Sequence, residues 1–479
     1  MSLSRRDFLV RSSAVTAAFA TLGHVGAGNS LGAMLQKANP ETSGYGGLVP
    51  DLTGILDLPK GFRYSIISRV GDTMDDGLLV PGKPDGMATF PGPGGSTILI
   101  RNHEVLNDPT WGSAFGESNQ LLSRVPADMI YDRGGGTKPC LGGTTTLVFN
   151  TRTQRLEKQH LSLAGTLYNC AGGRTPWGSW LTCEECAYTR GDPFEQDHGY
   201  VFEVPSLAPG LVKPLALRAM GRFRHEACGV NPENSIVYMT EDVDDSLIYR
   251  FIPNSPKVLS LGGRLQAMVA LDSKSLDSRN WDAPDLVKPG ASIRVGWVDI
   301  ENVESPKDDL RLQGFAKGAI RFARGEGAWL GSEGFYFVCT TGGKARLGQI
   351  WRYRLPASPE LEGTPDEAKS PGTLELVLEP NDTAAMANAD NITIAPWGDL
   401  IICEDLVENK AGRRQHLLGI TSRGEIYQLA RNMIGDSEFA GCTFSPDGST
   451  LFVNLQGNGL TLAVTGAWKK RLTRHPNAI

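Results

Sequence analysis

Short apolar runs alternate with Gly-, Pro- and Asn-containing turns along most of the chain. Five segments share one order, in which a small or polar start leads through a few extended residues and a turn to an apolar run with a polar end. These segments are NCAGGRTPWGSWLTCEE from residue 169, HEACGVNPENSIVYMTED from 225, GEGAWLGSEGFYFVCTT from 325, DNITIAPWGDLIICED from 390 and AGCTFSPDGSTLFVNLQ from 440. DGMATFPGPGGSTILIRNHE, from residue 85, is an earlier copy with a longer turn. The turn residues predict a β-hairpin for each copy.

Further strand-like runs lie between the copies, among them GYVFEV, LIYRFI, QIWRYRL and EIYQLA. Six such units of four strands predict an all-β fold, a six-bladed β-propeller, with insertions in the longer intervals. The Pro- and Glu-rich stretch at 355–372 is one predicted insertion, a surface loop. We therefore expect a single domain over residues 45–470. A β-sandwich with a second domain is the alternative, whereas the absence of long amphipathic helices between strands disfavours a doubly wound α/β fold.

In a propeller, the innermost strands surround a central channel, so equivalent ends of the repeated strand converge. The first positions of the six copies are Asp85, Cys170, Glu226, Glu326, Asp390 and Gly441. Crowded carboxylates raise one another's pKa unless a cation is bound among them, so this ring predicts a metal site. Carboxylates suit calcium, and a thiolate among carboxylates suits a softer metal such as iron.

The second end of the repeat carries adjacent polar residues in four copies: His103-Glu104, Glu184-Glu185, Glu241-Asp242 and Glu404-Asp405. Neighbours on a strand point to opposite faces, so one member of each pair can face the channel. A solvated strand end is the alternative for any single pair. Recurrence in four copies favours a functional role.

Composition and charge narrow the function further. The formal net charge is −6 and no basic run stands out, which argues against nucleic-acid binding. No G-x-S-x-G elbow, P-loop or G-x-G-x-x-G motif follows a predicted strand. Cys183 and Cys186 form a CxxC, but no second CxxC exists to complete a structural zinc site. The expected partner is a small molecule.

The N-terminal hexad Ser-Arg-Arg-Asp-Phe-Leu, from Ser4, resembles the twin-arginine export signal. We expect a signal peptide over residues 1–30, recognition by the twin-arginine translocase, and a periplasmic or secreted protein. The apolar run from Ala14 to Leu22 is too short to span a bilayer, so stable membrane insertion is not expected. Because twin-arginine export follows folding, the eight cysteines are expected to be mostly buried free thiols rather than disulfides.

Six ordered motifs resemble the PhoX-type alkaline phosphatases. They are RNHE, NCAGG-x-TPWG-x-WLTCEE, RF-x-HEA, EG-x-W followed by TTGG-x-x-R-x-GQIW-x-Y, DNITIAPWGDLIICED and TFSPDG-x-TLFVN-x-Q, spread from about residue 50 to 460. The resemblance implies a periplasmic six-bladed propeller that hydrolyses phosphate monoesters with ferric and calcium ions, Fe(III) and Ca(II). It places Cys170 on iron, and Glu104, Glu226 and Glu326 on the carboxylates of the motifs.

Asp390, Glu404 and Asp405 are further candidate metal ligands. We expect Cys170, Glu226 and Arg346 to take part in the reaction, and Arg174, Lys344 and Arg346 to hold the outer phosphate oxygens. A surface side chain is the alternative for Arg174. In this hypothesis the bound metals neutralise the transition state and no protein nucleophile is needed. A calcium-dependent lactonase or phytase-like propeller and a non-catalytic binding propeller are the alternatives. The protein is expected to be a monomer.

Overall fold

The computed structural model describes residues 43–283, 286–406 and 413–468, and the predicted signal at 1–30 lies outside the described residues. Within these ranges there is one α-helix, α1 (Leu310–Ala316), and no helix has the length and apolar character needed to cross a membrane. Three-residue 3₁₀ turns lie in the loops, at Pro93–Gly95, Pro109–Trp111, Leu122–Arg124, Ala127–Met129, Gly134–Gly136, Arg218–Met220, Leu259–Leu261, Pro359–Leu361 and Glu367–Lys369.

Strands form the rest of the regular structure. The first thirteen are β1 (Leu48–Val49), β2 (Leu56–Pro59), β3 (Arg63–Arg69), β4 (Pro84–Pro91), β5 (Thr97–His103), β6 (Gly142–Asn150), β7 (Arg155–Thr166), β8 (Asn169–Arg174), β9 (Ser179–Glu184), β10 (Val201–Pro205), β11 (His225–Val230), β12 (Val237–Glu241) and β13 (Tyr249–Pro253). The others are β14 (Gly263–Ala270), β15 (Ser292–Asp299), β16 (Gly325–Gly331), β17 (Gly334–Cys339), β18 (Gln349–Arg354), β19 (Thr373–Leu378), β20 (Ala389–Ile394), β21 (Leu400–Glu404), β22 (His416–Ile420), β23 (Ile426–Asn432), β24 (Phe439–Phe444), β25 (Thr450–Leu455) and β26 (Leu460–Thr465).

Antiparallel groups follow one another along the described chain: β4–β7, β8–β10, β11–β14, β16–β19, β20–β23 and β24–β26. In each group, every strand pairs with the next one in sequence. The first strands contact each other in the order β4, β8, β11, β16, β20 and β24, and β24 contacts β4, which closes a ring. This is a β-propeller, and the predicted fold class is confirmed. Six blades remain a prediction, which the ring of first strands supports.

Pairings at the outer edges join and complete these groups. β3, from the N-terminal part of the chain, pairs with β26 and supplies the fourth strand of the last sheet. β2 extends the preceding sheet beside β23, and β15 bridges β14 and β19 to give a nine-stranded sheet. The predicted insertion at 355–372 connects β18 to β19, which pair with each other across it, as expected of a surface loop.

The second group departs from the predicted four strands, since it has three. Its fourth place is taken by a single bridge between Phe202 and Ala216. The connecting segment contains Pro205, Pro209 and Pro214, and proline has no N–H to donate to a sheet. A regular strand therefore does not form there.

The first hairpins of three groups share one turn pattern. Thr175–Gly178, Ala395–Gly398 and Ser445–Gly448 each place proline second and glycine fourth. The glycine N–H donates to the carbonyl of the first residue at 3.2, 2.8 and 2.8 Å, respectively. Each glycine has a positive φ, between 69 and 92°, which other residues adopt at a cost. The predicted hairpins of these copies are confirmed.

The apolar core lies between neighbouring sheets. One cluster joins β21 and β22 to β24, β25 and β26, and includes Trp397, Phe444 and Trp468, whose rings lie within 5.4 Å of one another. Another joins β12 to β17 and β18, where Trp351 is fully buried. Burial of such side chains stabilises the protein by about 25 cal/mol per Å² of apolar surface. Apolar packing between neighbouring blades therefore stabilises the propeller, and polar groups lie in the channel.

Candidate metal centre

A β-bulge lies at the start of each first strand. The pairing register between the first and second strands shifts at equivalent points, between Pro84 and Met87, Asn169 and Gly172, His225 and Cys228, Gly325 and Ala328, Ala389 and Ile392, and Ala440 and Thr443. A bulge bends the strand and re-aims one side chain. The predicted first positions of the six copies all fall inside these bulges, so the backbone turns them toward the same end of the ring.

Small residues let the first strands approach closely. A Cβ at Gly327 would lie 2.6 Å from the Asp390 carbonyl oxygen, and one at Gly86 would lie 2.5 Å from the Ala171 Cα. Each of these glycines directly follows a first-position carboxylate. The close backbone contact brings carboxylates on adjacent strands within reach of one ion.

Two overlapping groups of ligand atoms form the centre of this end. Those of Cys170, Glu185 and Glu226 lie within 4.8 Å of one another, and so do those of Glu226, Glu326 and Asp390. Cys170 Sγ lies 2.5 Å from Glu226 Oε2. Residues that are far apart in sequence therefore share one site, with Glu226 common to both groups.

The second strands contribute the other side of the site. Glu104, Glu185, Asp242 and Asp405, the second members of the four polar pairs, interact electrostatically with one another and with the first-position carboxylates. Glu438, just before β24, interacts with Asp405, Asp85 and Glu104. The predicted alternation therefore holds, and the second member is the one that faces the channel.

The first members of the pairs turn the other way and brace the backbone. His103 bonds through its ring nitrogens to the Gly82 carbonyl at 2.8 Å and to Thr145 Oγ1 at 2.9 Å. Glu184 accepts the N–H groups of Leu167 and Gly199 at 2.9 and 2.8 Å.

Glu404 behaves in the same way. Its carboxylate accepts two bonds from Arg413, at 2.6 and 2.7 Å, and one from the Ala387 N–H at 2.9 Å. Burial raises the pKa of Glu404, but the bonds and charges of Arg413 and His416 outweigh it and hold this pKa below its usual value. Glu404 is thus held by an ion pair within the protein while its neighbour Asp405 faces the cluster, and metal binding by Glu404 stays a prediction.

Burial and mutual repulsion act on the carboxylates of the cluster. Burial first, and neighbouring carboxylates next, raise the pKa of Glu185, Glu226 and Asp390 well above the usual range. Burial also raises the pKa of Glu104 to about 7, and burial together with Glu226 raises that of the Cys170 thiol. A bound cation reverses this pressure, because it favours the ionised forms.

Two basic side chains reach the cluster within the described ranges. Arg324 Nη2 donates to Asp242 Oδ2 and Glu326 Oε1, both at 2.7 Å. Lys83 Nζ donates to Gln456 Oε1 at 2.8 Å, and Gln456 in turn donates to Asp85 at 2.8 Å and to Glu104 at 2.5 Å. Two cations do not balance so many carboxylates, so the donor set fits multivalent metal ions. Oxygen donors fit calcium, and the Cys170 sulfur fits a transition metal.

A left-handed residue opens four of the first strands. Lys83, Tyr168, Arg324 and Asn388 have φ between 45 and 53°, and each lies two residues before a first position. For a residue other than glycine this conformation costs about 1 kcal/mol or more, and such strain is concentrated at functional sites. The sequence analysis did not identify Lys83 and Arg324, because the only signal they offer in the sequence is their position two residues before Asp85 and Glu326.

The remaining predicted cations lie elsewhere. Arg174 is at the far end of β8 from Cys170, about 13 Å along an extended strand, and stacks over Trp329 at 5.2 Å. This position is distant from Cys170, and phosphate binding by Arg174 stays a prediction. Lys344 and Arg346 are exposed in the loop between β17 and β18, where Arg346 lies 4.0 Å above the Trp281 ring. Asn388, at the start of the Asp390 strand, donates to the Arg346 carbonyl, so this loop borders the site.

All eight cysteines are buried and unpaired, as predicted. Cys183 and Cys228 pack in one apolar cluster, while Cys442 and Cys403 pack in another. Of the thiols, Cys170 alone belongs to the channel cluster within the residues that the structure describes.

Comparison with known proteins gives a family and a fold. The family described as Alkaline phosphatase PhoX matches residues 43–459. No curated protein matches the sequence. Among solved structures, the PhoX of Pseudomonas fluorescens in complex with vanadate, a transition state analogue, is similar with a TM-score of 0.62 and 18% identity, over 86% of this chain and 96% of that one. At that identity the likeness shows the fold.

Two other solved structures are less similar to this chain. A gluconolactonase of Xanthomonas campestris has a TM-score of 0.36 and 11% identity, over 84% of this chain and 98% of that one. A protein of unknown function from Bacteroides thetaiotaomicron has a TM-score of 0.42 and 9% identity, over 84% of this chain and 76% of that one.

Proposed function

The chain belongs to the alkaline phosphatase PhoX family, a family of metal-dependent phosphomonoester hydrolases, and on that premise we propose that it cleaves phosphate monoesters at the cluster of Cys170, Glu226, Glu326 and Asp390. The observation that carries this proposal is the pair of overlapping ligand groups that share Glu226. Adjacent cation sites of this kind suit in-line displacement at phosphorus.

The proposed metals are Fe(III) and Ca(II). Cys170, Glu185 and Glu226 offer the mixed sulfur and oxygen set that suits iron. Glu226, Glu326 and Asp390 offer oxygens alone, which suits calcium, and Glu104 and Asp405 add further carboxylates beside them. When bound, such cations neutralise the phosphoryl oxygens and lower the pKa of the attacking water.

The side chains of the protein bind and orient the ester. Arg324 retains 29% exposure while its Nη2 is fixed by Asp242 and Glu326, so its guanidinium is positioned at the open side of the cluster. We assign Arg324 and Lys83 to the phosphate oxygens, the contact first predicted for Arg174. Lys344 and Arg346, exposed on the bordering loop, attract the anion as it approaches.

The Cys170 thiol separates this proposal from its alternatives. A calcium-dependent lactonase or phytase-like propeller needs oxygen donors and has no use for a sulfur 2.5 Å from Glu226. A non-catalytic propeller does not require the strained positions of Lys83 and Arg324. We therefore favour the phosphatase reaction.

The test measures hydrolysis of p-nitrophenyl phosphate, metal content and the visible spectrum of the purified chain. Cys170→Ala is expected to lose iron, visible absorption and at least about 100-fold of kcat. Cys442→Ala, at a buried thiol in a separate apolar cluster, is the matched control and keeps all three. A folded Cys170→Ala protein with full activity and an unchanged spectrum would refute the thiolate role. A wild type that binds metal and leaves the ester intact would refute the phosphatase.

Export by the twin-arginine route to the periplasm is the proposed localisation, supported by Arg5 and Arg6 of the N-terminal motif. The chain then acts as a monomer on a small phosphate ester. Replacing both arginines with lysine is expected to leave the protein in the cytoplasmic fraction. Secretion of the double variant at the wild-type level would contradict this route.

A further inference from the structure

A second group of metal-ligand side chains lies outside the channel cluster. Asp132, Cys140 and His198 have ligand atoms within 4.8 Å of one another, and all three side chains are essentially inaccessible to solvent. Asp132 and Cys140 come from the long connection between β5 and β6, and His198 precedes β10. Two connecting segments therefore meet at one buried point.

The histidine is oriented as metal-binding imidazoles usually are. His198 Nδ1 lies 2.7 Å from Glu184 Oε1, while Nε2 faces Asp132 and Cys140. Glu184 is itself fixed by the N–H groups of Leu167 and Gly199. A carboxylate on one ring nitrogen sets the tautomer and leaves the lone pair of the other nitrogen for an ion.

The two distances from His198 Nε2 fit a tetrahedral zinc ion. Typical bonds of about 2.3 Å to sulfur, 2.05 Å to imidazole nitrogen and 2.0 Å to carboxylate oxygen require nitrogen–sulfur and nitrogen–oxygen edges of about 3.6 and 3.3 Å. His198 Nε2 lies 3.7 Å from Cys140 Sγ and 3.3 Å from Asp132 Oδ2. We propose that Asp132, Cys140 and His198 bind a zinc ion, with water in the fourth position.

The alternative to a zinc ion is a proton on His198 Nε2. Burial opposes it, but the charge of Glu184 and the bond to Asp132 raise the pKa of His198 to about 12 when no ion is present. An imidazolium explains the two carboxylate contacts and leaves Cys140 as a neutral thiol 3.7 Å from Nε2. Zinc replaces the Nε2 proton, ionises the thiol and uses all three donors.

This ion would support the channel cluster from outside it. His198 holds Glu184, and Glu184 directly precedes Glu185, which belongs to the Cys170 group. Asp132 also accepts the N–H groups of Glu195 and Gln196, so the ion ties the 185–200 loop to the β5–β6 connection. The role assigned to zinc here is positioning, and it does not depend on the proposed reaction.

The experiment uses the full chain with Cys170→Ala, which removes the thiol of the channel cluster. Zinc is measured by elemental analysis after dialysis, and Co(II) replaces it for spectroscopy, since thiolate ligation gives a near-ultraviolet charge-transfer band. We expect one tightly held ion per chain and this band. Adding Cys140→Ala is expected to abolish both.

Cys186→Ala is the matched control, because Cys186 packs in the same apolar cluster as Cys140 and lies outside the proposed donor set. It is expected to keep the ion and the band. Added zinc is expected to raise the Tm of the Cys170→Ala chain, and to leave that of Cys170→Ala/Cys140→Ala unchanged. Equal zinc content, cobalt band and Tm response with and without Cys140, or no tightly held ion in the Cys170→Ala chain, would overturn the proposal.

Discussion

Replacing Gly327 with alanine tests whether close strand contact builds the metal centre. The new Cβ would lie 2.6 Å from the Asp390 carbonyl oxygen and 2.7 Å from the Asn391 Cα, where ordinary contact begins at 3.4 Å. Both neighbours are backbone atoms, so β16 must move away from β20 by about 0.8 Å, the difference between 3.4 and 2.6 Å. Glu326 and Asp390 would separate by a similar distance.

That displacement is large for metal coordination and modest for the fold. Ligand distances tolerate about 0.2 Å, so the ion proposed to bind between Glu326 and Asp390 should be lost, together with p-nitrophenyl phosphate hydrolysis. Overpacking of this kind costs about 1–3 kcal/mol, which lowers the Tm while leaving a folded protein. The assays are metal content per chain, hydrolysis rate and thermal unfolding followed by circular dichroism.

The matched control is Gly210→Ala, where the added Cβ meets no atom within 4 Å and the backbone φ is ordinary. It is expected to match the wild type in all three assays. Gly86→Ala is a second test, because its Cβ would lie 2.5 Å from the Ala171 Cα and would move Asp85 away from Cys170. A folded Gly327→Ala protein with full metal content and activity would refute the reasoning that strand contact sets ligand geometry.

Three further predictions address residues at and away from the centre. Arg413→Ala leaves the buried Glu404 carboxylate without its ion pair, so the free energy of unfolding measured in urea should fall by roughly 3–5 kcal/mol. Glu404→Gln should keep its metal content, and loss of metal in this variant would show that Glu404 is a ligand. Arg324→Ala should lower kcat/KM for p-nitrophenyl phosphate about 100-fold and Arg174→Ala should leave it unchanged, and the reverse order would contradict the assignment of Arg324 to the phosphate. Burial, and next Lys158, lower the pKa of His160 below 6.5, so its contribution to stability is complete above pH 6.5 and declines as the pH falls through that value, by up to about 1.4 kcal/mol per pH unit. His160→Asn should therefore flatten the pH dependence of stability below pH 6.5, measured by urea titration. An unchanged pH dependence in this variant would refute the prediction.

The hairpin copies were readable from sequence because turn chemistry and apolar runs are local. The first positions Asp85, Cys170, Glu226, Glu326 and Asp390 could be aligned for the same reason, since each precedes a recognisable hairpin. What the sequence does not contain is the direction of each bulge. The two-residue period of a strand showed that one of Glu404 and Asp405 faces the channel, and it could not show which one.

Other features of the site depend on distances in space that the sequence does not contain. Arg174 is four residues from Cys170 in sequence, but an extended strand places it at the opposite end of the hairpin. Lys83 and Arg324 reach the cluster because of a left-handed backbone, which lysine and arginine rarely adopt and which their sequence does not announce. The missing fourth strand of the second group could have been predicted from its three prolines.

The pairing of β3 with β26 sets the order in which the protein can mature. The last sheet needs strands at 63–69 and 460–465, so a nascent chain cannot complete it before nearly all of the described residues have left the ribosome. Until then the sheet that contains β24 is incomplete, and the contact between β24 and β4 that closes the ring is not stabilised by it. The ring around the proposed ion site at Asp85 and Cys170 is therefore complete only after β26 has been synthesised.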